Sequence, residues 1–298
     1  MDAVTPSSLA LDVSANPNAA TDAVRVVRPD AGQECPVIFA SPHSGRHYSA
    51  EMQALTCLSL DQLRRSEDAY VDTLIAAAPE FGGHLVCAQF PRVFVDPNRG
   101  PWELDPGMFS DRLPDQADPV SRRAASGLGV VPRIGFEGRP LYRRRLRYAE
   151  ARDRLSRFYE PYHAALANLI GELHARHGFV IVIDMHSMPN QSARGVDFVL
   201  GDRFGSSCDT RVVETIETRL RERDYVTVRN IPYAGGYTTE HYGRPADGVH
   251  VVQIEINRSL YLDEHRVVMA PDFAGFEAEM RKLVRQLTET DWSRSLSP

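Results

Sequence analysis

The sequence predicts one α/β domain, and three observations point there. Short apolar runs of strand length alternate with amphipathic helical stretches along 298 residues. Two of those runs end abruptly in polar, histidine-bearing segments, which is how open α/β sheets place ligand sites at the carboxyl ends of strands. No internal repeat and no Pro/Gly/Ser-rich linker divides the chain, so residues 26–298 read as a single domain behind a loose extension at 1–25 rich in Ala, Asp, Asn, Pro and Ser.

The elements follow in order. Val37 to Ala40 read as a buried strand running into Ser41-Pro42-His43-Ser44-Gly45. Residues 59–78 place Leu60, Leu63, Tyr70, Val71, Leu74 and Ile75 at helical spacing, with Ser59 as the N-cap, and Gly82-Gly83 ends the helix. Residues 84–90 and 93–95 read as strand-like, and 101–138 as a long Pro-, Gly- and Asp-rich loop near the site or a disordered insertion. The longest helical pattern covers 141–176, opens on the solvated cluster Arg143-Arg144-Arg145, and is kinked or split at Pro161. A strand ending in Asp184-Met185-His186-Ser187 follows, then a strand at 198–200, a helix at 210–223 and a strand at 226–229. A strand at 249–256 carries Gln253 and Glu255, and a helix at 272–287 closes the chain.

Composition narrows the function. With 43% hydrophobic and 25% charged residues the chain has the make-up of a soluble globular enzyme. A net charge of −6 argues against a nucleic-acid partner. Cys35, Cys57, Cys87 and Cys208 form no Cys-x-x-Cys pair, which speaks against a thiolate zinc site or a disulfide scaffold and for a reducing cytoplasm. The N-terminal segment lacks a basic and apolar leader pattern, and no apolar run approaches the roughly 20 residues of a membrane helix. Lys282 is the only lysine, so the cations are arginines, which grip carboxylates with paired hydrogen bonds.

A catalytic zinc typically takes three ligands from His, Asp or Glu and leaves a position for water. His43 and His186 are two candidates, each of which has a bland alternative as a hydrogen-bonded core histidine. For the third, Glu67, Asp68 and Asp72 lie on the predicted helix, Asp68 and Asp72 on one face and Glu67 about 100° away, unless the trio is simply a polar helix surface. Glu255 in an apolar strand needs a partner, a metal site or water, because an unpaired buried carboxylate is costly; a salt bridge to Arg258 is the structural alternative.

Six segments in order resemble the N-formylglutamate amidohydrolase family: residues 41–45, Glu67-Asp68-Ala69-Tyr70-Val71-Asp72, 90–99, 184–189, 230–237 and 253–258. The resemblance covers about Pro36 to Leu262. It implies a three-layer, carboxypeptidase-like (phosphorylase/hydrolase-like) fold, in which helices flank a mixed central sheet. It also implies zinc-dependent hydrolysis of N-formyl-L-glutamate to L-glutamate and formate in histidine breakdown. Related zinc carboxypeptidases use His-x-x-Glu, but Arg46 stands three residues after His43, so the carboxylate ligand comes from elsewhere. The carry-over assigns zinc to His43, Asp68 and His186 with Glu67 in reserve, and the general base to Glu255. Contacts to a dicarboxylate substrate fall to Arg92, Asn98, Arg99 and Arg258, with structural salt bridges as the alternative for the arginines. Tyr237 and the Gly235-Gly236 turn form pocket wall or a plain tight turn. Two other readings stay open: a hydrolase of another N-acyl amino acid on the same zinc, and a ligand-binding relative without chemistry, against which His43, His186 and Glu255 argue.

Overall fold

The computed structural model describes residues 23–117 and 121–296. Seven strands form one mixed sheet: β1 (Val24–Val27), β2 (Val37–Ser41), β3 (His84–Ala88), β4 (Val180–Met188), β5 (Phe198–Gly201), β6 (Thr227–Arg229) and β7 (Val249–Asn257). Their spatial order is β1-β3-β2-β4-β7-β5-β6. β3, β2, β4 and β7 run parallel, while β1 and β5 pair antiparallel at either side and β6 follows β5 in parallel. Most of the expected extension lies outside the described residues, and the first strand starts at Val24.

The central strands are apolar on both faces because both faces are covered. Ile38, Ala40, Val86, Val180, Val182 and Val251 pack under the helix Glu160–His177 and the segment 90–131. The alternate residues Val37, Phe39, Leu85, Ile181, Ile183, Val252 and Ile254 pack against Thr210–Arg221 and Phe273–Glu289. The period of two then does something useful at the strand ends. Asp184 and His186 continue the face of Val180 and Val182, and Gln253 and Glu255 that of Val249 and Val251. Register sets Asp184 opposite Gln253 and His186 opposite Glu255.

Three local expectations need correction, and the reading of 101–138 is narrowed to its first alternative, a loop near the site. The helix predicted over 59–78 is broken into Leu60–Arg64 and Val71–Leu74. Between them Asp68 donates its backbone N–H to the His43 carbonyl (3.0 Å), and Ser44 Oγ donates to the Asp68 carbonyl (2.8 Å). These tertiary bonds override helical spacing, and Tyr70 takes a left-handed φ of 63°, rare for a bulky residue, to leave the loop. Asp68 and Asp72 therefore share no helix face, and Asp72 pairs with Arg46 instead (3.3 Å).

The second correction is Val93 to Val95, which form a turn rather than a strand, because Pro91 starts a tight reversal with Phe94 N–H on the Pro91 carbonyl (2.9 Å). The described part of 101–138 is packed, with Leu104, Met108, Phe109, Val130 and Val131 buried. Lastly, the long helical pattern starts at Tyr148 rather than 141, so the exposed Arg143 to Arg145 precede it. Its break at Pro161 takes the form of a π-turn over Leu155–Tyr159 just before Glu160–His177. That turn presents Phe158 to Phe90 and Phe94, and it lets Tyr159 Oη donate to the Arg99 carbonyl (2.9 Å).

Candidate active site

The carboxyl ends of β2, β4 and β7 meet at one point. His43 Nδ1, His186 Nδ1 and Asp68 Oδ2 lie 3.0 to 3.2 Å from one another, all three residues buried. Each imidazole is turned by an acid on its other nitrogen. His43 Nε2 donates to Asp96 Oδ1 (2.7 Å) and His186 Nε2 donates to Asp184 Oδ2 (2.9 Å). A carboxylate only accepts, so those nitrogens carry the protons and the Nδ1 lone pairs face inward.

Two lone pairs and a carboxylate oxygen at this spacing repel unless a cation lies among them. Ligand bonds of about 2.0 to 2.2 Å in a tetrahedral zinc site set ligand atoms roughly this far apart. The donor set therefore fits a divalent metal, and the aligning acids match the outer shell that orients metal-bound histidines. A proton on Nδ1 can be that cation when no metal is bound, and the surrounding acids draw either one. Burial would lower the His186 imidazole, but Asp184, Asp68 and Glu255 hold its pKa well above the usual value. Burial would raise Asp68, yet hydrogen bonds from His186 and His43 and the charge of Arg92 hold it well below the carboxylate range.

Asp68 Oδ1 accepts from Arg258 Nη2 (2.9 Å), and Ser187 Oγ accepts from Arg258 Nε (3.1 Å). Arg258 thus pairs with Asp68, and the expected alternative of a Glu255–Arg258 salt bridge is replaced by a contact to Asp68. Arg92 pairs with Asp96 (2.7 Å). Glu67, the reserve ligand, turns away: it accepts from Tyr48 Oη (2.7 Å) and Arg64 Nε (3.3 Å) and stands outside the converging group.

Glu255 sits one strand from His186, its Oε1 accepting from Gln253 Nε2 (2.8 Å). Burial first and the Asp68 charge second push its pKa up to about 7, against His186, Arg92 and Arg258. That places a carboxylate where it can both take and return a proton near neutrality.

Asn98 is fixed on all sides. Its Oδ1 accepts from the Thr238 backbone (2.9 Å) and its Nδ2 donates to Gln253 Oε1 (3.3 Å) while touching His186 Nε2 (3.2 Å). A Cβ at Gly236 would lie 2.4 Å from the Asn98 amide, so this turn needs glycine for close approach. Gly235 and Gly236 line the cavity, while Tyr237 stacks on His241 instead. His163 holds the same loop by donating Nε2–H to the Pro97 carbonyl (2.9 Å), and burial keeps it neutral with a pKa down at about 4.

All eight residues singled out from the sequence, His43, Asp68, Arg92, Asn98, Arg99, His186, Glu255 and Arg258, line one cavity of about 670 Å³. Sequence reasoning missed Asp96 and Asp184 as aligning acids and Arg65 and Arg123 as lining cations. Asp184 carried a signal, an acid two residues before His186 and so on the same strand face. Asp96 carried none beyond its motif.

A mixed sheet with a buried His–Asp–His group and a carboxylate at its parallel strand ends defines a helix-flanked α/β protein with a candidate metal centre. The family model described as N-formylglutamate amidohydrolase matches residues 35–262, and the chain belongs to that family. An N-formylglutamate deformylase from Pseudomonas aeruginosa is 31% identical over 87% of this chain and 94% of its own length. One from Pseudomonas putida is 30% identical over 77% and 82%. The crystal structure of N-formylglutamate amidohydrolase from Ralstonia eutropha JMP134 is 34% identical, with a TM-score of 0.85 over 90% of this chain and 98% of that one. A gene product of Agrobacterium tumefaciens, 20% identical with a TM-score of 0.64 over 89% of this chain and 94% of that one, shares the fold.

Proposed function

We propose that the chain hydrolyses N-formyl-L-glutamate to L-glutamate and formate. His43 Nδ1, His186 Nδ1 and Asp68 Oδ2 hold a zinc ion, and Glu255 is the general base. The observation that carries this reading is the convergence of those three ligand atoms at 3.0 to 3.2 Å beside Glu255. Family membership supports the substrate. When bound, zinc supplies Lewis-acid polarisation of the formyl carbonyl and makes water a better nucleophile at neutral pH.

The chain's own groups do the rest. Glu255 takes the proton of the attacking water and returns it to the leaving amine nitrogen, a task suited to a carboxyl whose pKa is pushed up to about 7. Asp96 and Asp184 hold the imidazoles in the ligating tautomer, and Arg258 holds Asp68. Of the expected substrate contacts Arg92, Asn98, Arg99 and Arg258, Arg92 and Arg258 lie against Asp96 and Asp68, which leaves Arg99 as the cation among them that a dicarboxylate substrate can meet. No helix among the described residues is long and apolar enough to cross a membrane, and the four unpaired thiols support a reducing compartment such as the cytoplasm.

A cavity of about 670 Å³ falls within the roughly 300–1,000 Å³ of drug-sized ligand pockets, which keeps a longer N-acyl group as a second reading. Initial rates on formyl, acetyl and butyryl derivatives of glutamate separate the two. The formyl compound is expected to be fastest by at least tenfold; equal rates on all three would favour the broader hydrolase. Asp184→Asn is expected to weaken zinc roughly 10- to 100-fold in chelator competition, as losses of outer-shell carboxylates do, with the fold retained. Unchanged affinity would remove Asp184 from the metal's support.

A further inference from the structure

The cavity holds more positive charge than its own acids consume. Arg92 is taken up by Asp96, Arg258 by Asp68, and Arg203 lies 3.3 Å from Glu240. Arg65, Arg99 and Arg123 line the same cavity and make no ion pair among the described residues.

Arg65 is held in place without an acid. Its guanidinium carbon lies 4.9 Å from the Phe136 ring centroid, and its Nε is buried with no hydrogen-bond partner. A cation over an aromatic face keeps its outer edge available for an anion. Arg99 is held differently: Nε donates to the Leu128 carbonyl (2.9 Å) and Nη1 to the Asn98 carbonyl (2.8 Å). Burial pushes its pKa down; the Asp96 charge opposes this, and the nearby charges of Arg92 and Arg123 push down again. Like charges at a half-buried site cost energy that an entering anion relieves. Leu128, whose carbonyl holds Arg99, donates its own N–H to the Arg123 carbonyl (2.8 Å), so Arg99 and Arg123 share one anchor while Arg65 rests on another, Phe136.

We infer that the substrate's two carboxylates are read at two poles, one by Arg65 over Phe136 and the other by Arg99 with Arg123. This rests on the formyl-glutamate reading above and specifies how that site selects a dicarboxylate. Each pole is preorganised, fixed by an aromatic face or by backbone carbonyls, so little ordering remains when a carboxylate arrives.

The test uses zinc-loaded wild type, Arg65→Met and Arg123→Met on three substrates: N-formyl-L-glutamate, N-formyl-L-glutamine and the α-amide of N-formyl-L-glutamate. Wild type is expected to lose roughly 10- to 100-fold in kcat/KM on each neutralised substrate, the worth of one charged hydrogen-bonded contact. Each variant should lose a similar factor on N-formyl-L-glutamate, mainly in KM, and become indifferent to one carboxylate, a different one for each variant. Retained wild-type preference in both, or indifference to the same carboxylate in both, overturns the two poles. A wild type that hydrolyses none of the three overturns the formyl-glutamate reading instead. Calorimetric titration with L-glutamate then still tests the poles, since binding should weaken in both variants, and unchanged binding contradicts them.

Discussion

Glu255→Gln is expected to lower turnover of N-formyl-L-glutamate by at least the roughly 10²- to 10⁴-fold typical of general acid–base catalysis, with zinc content unchanged. The amide keeps the shape of the carboxyl and its contact to Gln253, but it cannot accept a proton from water. The effect on stability separates a base from a structural ion pair. Arg258 bonds Asp68, so the substitution breaks no salt bridge. Burial raises the folded-state pKa of Glu255 from an ordinary 4.5 to about 7. Between those values the folded chain retains a proton that the unfolded chain has released, so this carboxyl costs stability as pH rises through that window. The variant should therefore melt at no lower a temperature than wild type at pH 8. A stable, zinc-loaded variant with normal turnover would remove Glu255 from the mechanism, and a destabilised but active one would assign it a structural role.

His43→Ala and His186→Ala are each expected to abolish stoichiometric zinc and bring formate release to background. Each removes one of the three proposed ligand atoms and also leaves a buried acid, Asp96 or Asp184, without its imidazole partner. Asp96 keeps Arg92, but Asp184 is left unpaired among the described residues, and an orphaned buried carboxylate costs several kcal/mol, so His186→Ala should also melt lower and by more than His43→Ala. Glu67→Ala provides the contrast. Glu67 faces Tyr48 and Arg64, so its loss should lower stability while zinc content stays near one per chain. Zinc lost from Glu67→Ala and retained by Asp68→Ala would reverse the assignment of the third ligand.

Strands β2 to β7 and the identity of the converging histidines were legible because their signals are local, whereas the edge strand Val24–Val27 was not foreseen. A buried parallel strand is an apolar run, and its polar end announces the site. What was not legible depended on distant partners. The turn that carries Asp68 is made by His43 and Ser44, some 25 residues away, and helical spacing at Leu60, Leu63, Val71 and Leu74 persisted across the break. Val93 to Val95 have strand composition, but Pro91 and the packing of Phe94 on Phe158 make a turn. Which nitrogen of each histidine faces inward follows from Asp96 and Asp184, and a sequence does not say which acid will meet which imidazole. The arginines divide for the same reason: Arg92 and Arg258 meet acids of the site, whereas Arg99, from the same motif as Arg92, and Arg65 and Arg123, from no quoted motif, form no ion pair among the described residues.

On the proposed function, formyl-amide hydrolysis depends on a zinc ion at His43, Asp68 and His186. The most direct test of this dependence is formate release from N-formyl-L-glutamate by metal-depleted protein before and after titration with zinc, with metal content measured on the same samples. Activity should be absent without metal and return in proportion to zinc, reaching its plateau at one equivalent per chain. Full activity in the depleted protein, or a plateau unrelated to zinc content, would contradict the account.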